Sequence, residues 1–301
     1  MTDLPAPGGD HVVHAWPTFD QAPVLVVTLA GWIDAGGAAA TAMASLDQQL
    51  TARPIVSFDP DTFIDYRARR PVMELRDGVN TRVVWPGIEL KAGADAKGTP
   101  VLLLSGHEPD ANWQRFTRTV MALAERLGVT TMIGLGAYPF GTPHTRPSRL
   151  SLSCSSPEVA SALSYLRNSV DVPAGVQAVL ERAFAEAGKT ALGLWAQVPH
   201  YVANMPYPAA AAALLRGLGN VTSVLASTET LDGEAVTHQA QLDELIAAND
   251  EHASMLHQLE AAYDAEGQLA LGVARPIEAA DIPSADELAA ELERFLREQG
   301  H

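Results

Sequence analysis

A single cysteine, Cys154, is all that 301 residues offer, so no internal disulfide can form and a reducing compartment, the cytoplasm, is expected. Lysine is nearly as scarce, supplying 3 of the 20 basic residues. With abundant alanine, that bias fits a chain encoded by a GC-rich bacterial genome. Long apolar runs are missing as well. The longest, Ala209 to Leu215, is seven residues where a membrane span needs about 20, so no membrane association is expected. The opening MTDLPAPGGD lacks a basic stretch followed by an apolar one, so a signal peptide is not expected. Positive charge is also sparse, with 36 acids against 20 bases. Residues 217–301 hold 17 acids and 3 bases, and no Lys or Arg lies between Arg216 and Arg275. Nucleic acid, which needs a basic face, is therefore not an expected partner. The acidic stretch reads either as a solvated helical surface or as a docking face for a basic partner.

What is present is a globular composition, 47% hydrophobic and 19% charged. PVLVVTLA (23–30) is an apolar, β-branched run followed by glycines and an alanine-rich helix, a strand-turn-helix unit. VLLLSG (101–106) begins a second. Its helix is expected to start at Pro109 and end at Gly128, with Trp113, Phe116, Val120, Leu123 and Leu127 along one face. VTTMIGLGA (129–137), a strand at 150–153 and TALGLWAQV (190–198) supply further strands. The 71–90 segment, punctuated by Asp77-Gly78 and Pro86-Gly87, reads as a hairpin or meander that makes the sheet mixed. The expected fold is thus α/β, a three-layer α/β/α sandwich of residues 1–228 with a mixed sheet. An acidic helical C-terminal extension, 229–301, follows. It is expected to hold one long helix from Leu231 to about Asp264, a Pro-bearing linker (Ala274 to Pro283) and a final helix capped by Ser284 and Glu287. Leu242, Leu245, Asn249, His252, Leu256, Leu259 and Tyr263 recur at three and four residues on the long helix, a seam for packing within the chain or between subunits.

Ligand crevices of open α/β sheets lie beyond the carboxyl ends of the strands. The residues there are Trp32 and Asp34, then His107, Glu108 and Asp110, then His144 and Arg146, then His200. Asp34, His107, Glu108 and His144 are the candidate catalytic groups, and Trp32, Arg146 and His200 candidate binding groups. Tyr66, Arg67 and Arg70, from a loop mixing acids with arginines, join the binding candidates. Structural roles compete throughout: Asp110 has the position of a helix cap, and the loop charges can pair with one another. No metal site and no cofactor are expected. H-E-x-x-H and paired-cysteine spacings are absent, as are G-x-S-x-G and G-x-G-x-x-G in a strand-to-helix context. Gly188-Lys189-Thr190 has Ala183 where a phosphate loop needs its glycine.

Four spaced runs, AGWIDAGGAAATAM (30–43), DYRARRP (65–71), SGHEPDANWQRF (105–116) and GLGAYPFGTPHTRP (134–147), together resemble the proteasome assembly chaperone 2 family in its actinobacterial branch. The likeness covers roughly residues 10–230. It implies a phosphorylase/hydrolase-like α/β/α sandwich and binding to proteasome α-subunits, the activity of the characterised chaperones. Those chaperones dock through a C-terminal hydrophobic-Tyr-x tail. This chain ends Glu298-Gln299-Gly300-His301, so that docking mode is not carried over. Two functional readings follow. One is a non-enzymatic, homo-oligomeric interaction protein, expected as a trimer, with a proteasome subunit as its partner. The other is a hydrolase-like or small-molecule-binding enzyme using the strand-end crevice.

Overall fold

The structure, a computed structural model, describes residues 9–167 and 169–270. In chain order the elements are β1 (His11–Val13), β2 (Val24–Ala30), α1 (Ala38–Leu50), β3 (Arg53–Phe58), α2 (Pro60–Phe63), β4 (Val72–Arg76), β5 (Val79–Val84), β6 (Ile88–Ala94), β7 (Pro100–His107), α3 (Trp113–Arg126), β8 (Thr131–Phe140), β9 (Leu150–Cys154), α4 (Pro157–Ala162), α5 (Val176–Glu186), β10 (Thr190–Pro199), α6 (Pro208–Val221), α7 (Glu229–Ala247) and α8 (Asp250–Ala270). Eight strands form one sheet in the order β1-β3-β6-β7-β2-β8-β10-β9. Its centre, β7-β2-β8-β10, is parallel, and β6 and β9 flank it antiparallel. Continuous apolar runs such as VLVV and VLLL suit strands buried on both faces, and Val26, Val27, Leu103 and Leu104 are wholly buried.

Each face of the sheet has its own core. One joins β2, β8 and β10 to α1, α6 and α7 through residues such as Leu46, Leu135, Leu214 and Leu242. The other joins the sheet to α3 and α5 through Leu25, Met132, Phe116 and Phe184. This is the expected three-layer α/β/α sandwich with a mixed sheet. The described residues up to Glu260 belong to one compact unit, and those from Ala261 to Ala270 belong to a second. Among the described residues no helix is long and apolar enough to cross a membrane.

Four expectations change. The 71–90 segment does not join the main sheet as a hairpin: β4 and β5 pair only with each other around the Asp77-Gly78 turn, and β6 alone enters the sheet. The sheet is mixed because β6, β9 and β1 run against their neighbours. The helix after β7 begins at Trp113 rather than Pro109, since Asn112 takes the left-handed conformation and the Trp113 indole donates back to the Pro109 carbonyl at 2.6 Å. The long C-terminal helix is two, because the Asn249 side chain accepts from Glu251 N and His252 N and so starts a new helix. In consequence Leu245 leaves the seam and is 62% exposed, while Leu242 and Ile246 are buried. The linker at 274–283 and the final helix lie outside the described residues.

Candidate functional site

Parallel pairing of β7, β2, β8 and β10 brings the segments after Ala30, His107, Phe140 and Pro199 to one end of the sheet. Beyond β2, after a shift of register, Asp34 forms an isolated bridge with Ala137 of β8. Helix α1 starts with alanines after Gly37, and neither residue type can cap it. The Asp34 carboxylate does so instead, accepting from Ala39 N at 2.8 Å and Ala40 N at 3.0 Å. Burial pushes its carboxyl above the usual range, against the pull of those amides.

Glu108 plays the same part on the opposite layer. Its backbone N–H donates to the Ala30 carbonyl, and its buried carboxylate accepts from Val176 N at 2.6 Å, at the start of α5. Trp32 closes over this junction. A Cβ on Gly175 would lie 3.0 Å from the Trp32 ring and 3.1 Å from Glu108 Oε1, so the glycine lets the two side chains close tightly on the start of α5. Helix α5 is preceded by Gly175, which offers no side-chain acceptor, so Glu108→Ala leaves its N-terminus uncapped beside a half-exposed indole. A hydrogen bond to a charged group contributes about 1.5–3 kcal/mol, so equilibrium urea unfolding of Glu108→Ala is expected to show a loss of about 2 kcal/mol and of Glu108→Gln about half that. A midpoint unchanged in both would show that α5 does not depend on this carboxylate.

His107 lies beside Arg69 and Asp110. Burial, with the Arg69 guanidinium, holds its imidazole below the usual pKa, and Asp110 opposes them. Asp110 does not cap α3 as its position suggested. It pairs with Arg69 at 3.1 Å and accepts from Asp65 N at 2.9 Å, tying the 65–70 loop to the rim.

His144 belongs to the α7 side. Its side chain is fully buried, with Nε2 3.0 Å from Asp243 Oδ1 and Nδ1 2.7 Å from the Tyr201 hydroxyl, which also accepts from His144 N at 2.9 Å. An Nε2–H donated to Asp243 leaves Nδ1 to accept from Tyr201, which satisfies a neutral ring completely. Burial pushes the Tyr201 phenol up to about 12, so it remains a proton donor. Next to it Glu260 accepts from Thr145 Oγ1 at 2.5 Å and from Arg146 at 3.2 Å.

The candidates therefore fall into groups. Trp32 and Glu108 share the α5 junction, and His107 sits with Arg69 and Asp110. His144 and Arg146 are tied to α7 and to Glu260, and Asp34 is at α1. His200 is exposed and meets the edge of Tyr201. Tyr66 donates to Asp61 and packs edge-on against Trp85 at 4.9 Å, whereas Arg67 and Arg70 face solvent. Position places Arg69 in its loop and Tyr201 after β10 without marking either as a candidate, and nothing local points to Asp243 or Glu260; Arg69 is the one arginine of its run that turns inward, and the partners of the other three are 57 to 115 residues away. Nor does anything local point to Glu181, a buried carboxyl raised by its burial and held by Ser153 Oγ at 2.8 Å. Among the described residues no three His, Cys, Asp or Glu side chains gather to hold a metal ion.

A family model described as the PAC2 family matches residues 28–246. A Mycobacterium tuberculosis protein of unknown function is 36% identical, with 88% of this chain and 92% of that one covered at a TM-score of 0.81. A proteasome-assembly chaperone homologue from the same organism is 34% identical over 77% of this chain and 99% of its own, with a TM-score of 0.72. A PAC2 family protein from Streptomyces avermitilis is 33% identical, covering 78% and 99%, with a TM-score of 0.69. Among curated proteins there is no match.

Proposed function

This chain belongs to the PAC2 family, and from that premise we propose that it is a non-enzymatic, homo-oligomeric interaction protein of the proteasome-assembly-chaperone kind. Its partners in this reading are further copies of itself and a proteasome subunit, met in the cytoplasm. The solved M. tuberculosis relative described as a proteasome-assembly chaperone homologue supports the partner class.

The observation that carries the reading is the β4–β5 ribbon. Val72, Met73, Leu75, Val79, Val83 and Val84, on two strands that pair only with each other, and Trp85 just after them are between 37% and 64% exposed. A lone two-stranded ribbon is marginal in water, and exposed apolar side chains on both of its strands mark it as an interaction element. Trp85 packs against Tyr66 at its base, which aims the ribbon without covering it. A closed cyclic assembly, a trimer, would bury each ribbon against a neighbour. The strand-end groups fit this reading too. Asp34 and Glu108 hold helix N-termini, and His144 has both ring nitrogens engaged.

Light scattering on the eluting full-length chain, with purified proteasome α-subunits added in a second run, tests the proposal. The wild type is expected at trimer mass and to shift with the α-subunits. A variant with Val72, Leu75, Val79 and Val83 changed to serine is expected at monomer mass with an unchanged circular dichroism spectrum. A wild-type monomer would overturn the assembly, and a trimer that ignores the α-subunits would overturn the partner. The strand-end enzyme reading retains one favourable observation, a burial of the Asp34 carboxyl that shifts it in the direction a general acid needs. Turnover of a model ester that is lost in Asp34→Asn would select it instead.

A further inference from the structure

Helix α3 turns Phe116, Val120 and Leu123 into the core and presents Arg115, Arg118, Ala122 and Arg126 to solvent as a single stripe. Facing that stripe runs the segment from Asp10 to Trp16, which includes β1. It is pinned at both ends. Asp10 is ion-paired with Arg115 and accepts from Thr119 Oγ1 at 3.1 Å, and the Trp16 ring lies 3.9 Å beneath the Arg126 guanidinium. Between the pins is an open groove of about 480 Å³ whose lining includes Arg115, Arg118, Arg126, Trp16 and His11. Arg115 and Arg126 are eleven residues apart, about 16 Å along a helix at 1.5 Å per residue. That is the length of about five residues of extended chain. His11 Nδ1 is buried in the wall with no hydrogen-bond partner, and β1 is the outermost strand of the sheet, with no strand beyond it among the described residues.

Charge makes this groove exceptional for the chain. In a protein with 36 acids and 20 bases, three guanidinium groups line one groove, and Asp10, with Asp59 further off, offsets Arg115. We propose that the groove binds a short, extended, acidic segment of a partner polypeptide, its carboxylates on Arg118 and Arg126 and an apolar side chain against Trp16. Guanidinium forks match carboxylates in pairs, and the groove's length suits a few residues of strand. A nucleic acid strand suits the groove less well, because its dense phosphates would meet the field of a chain carrying sixteen net negative charges. None of these residues belongs to the ribbon or the strand ends, so the inference stands whether or not the assembly above is correct.

Fluorescence anisotropy on the full-length protein tests it, with a labelled peptide of alternating Glu and Val as probe and the Lys-and-Val counterpart as control. The Glu peptide is expected to bind, to weaken as salt is raised, and to bind about tenfold more weakly to Arg118→Glu/Arg126→Glu because charge-assisted pairs are lost. Both positions are exposed, so that variant should keep the wild-type circular dichroism spectrum, its unfolding midpoint lowered only by the loss of the Arg126–Trp16 contact. Arg118→Lys/Arg126→Lys, which retains charge but not the forks, is expected to fall between them. Equal binding of the Glu and Lys peptides, undiminished affinity in the charge-reversed variant, or tighter binding of an RNA oligonucleotide at the same sites would each overturn the proposal.

Discussion

Alanine at Gly106 is expected to destabilise the protein by about 3–5 kcal/mol, the sum of a strained positive φ and an overpacked backbone contact. Gly106 has φ +129°, a region that side-chain-bearing residues rarely enter, and it sits between two strands, opposite Ile88 of β6 and Leu29 of β2. An added Cβ would lie 2.2 Å from the Gly87 carbonyl oxygen and 2.8 Å from Ile88 Cα. Both are backbone atoms, so no flexible side chain can swing aside. The next residues are His107 and Glu108, whose amides donate to the carbonyls of Gly87 and Ala30. Strain at Gly106 should therefore also loosen the α5 junction, read as faster amide exchange at Glu108 and Val176. A Gly106→Ala protein whose urea midpoint and exchange rates match the wild type would mean that β6 and β7 do not approach one another as described.

Removal of the Phe116 ring should cost about as much. Large aromatic-to-alanine changes in cores lose about 3–5 kcal/mol through transfer and cavity terms together. Phe116 is wholly buried, with ring centroids 4.8 Å from Phe58 and 5.4 Å from Phe63, so three elements (β3, α2 and α3) lean on one side chain. Phe116→Leu should recover part of the loss by refilling the space. Arg118→Ala, two residues on and on the solvent face of the same helix, should change stability by less than about 0.5 kcal/mol. Thermal and urea unfolding of the three variants in parallel checks the contrast. A Phe116→Ala midpoint no lower than that of Arg118→Ala would remove this cluster as the anchor of α3.

Much of this architecture could be read from residue pattern. The strand-turn-helix units at 23–50 and 101–128 carry their own punctuation, apolar runs closed by glycine and followed by helical spacing, and local sterics suffice to form them. The ribbon was visible as a hairpin but not as a free one. Alternating residues such as VMELR and VNTRVV describe a strand with one buried face, and whether another layer arrives to bury it is not a local property. Asn249 looked like a polar member of a packing seam, yet an asparagine side chain also competes for backbone amides, and here the cap prevails. At the strand ends the candidates could be named from position alone, because parallel strands must release their chains on the same side.

The amino-acid sequence alone determined the layered α/β plan and the set of polar residues that strand polarity delivers to one rim, since both follow from period, punctuation and connection rules that act over a few residues. Only the tertiary structure decided what those residues touch. Glu108 reaches Val176 across 68 positions and His144 reaches Asp243 across 99, and Arg69 rather than Arg67 or Arg70 turns inward. A carboxylate or imidazole takes whichever unsatisfied partner the packed core leaves within about 3 Å, and that choice is made only when distant segments have been brought together.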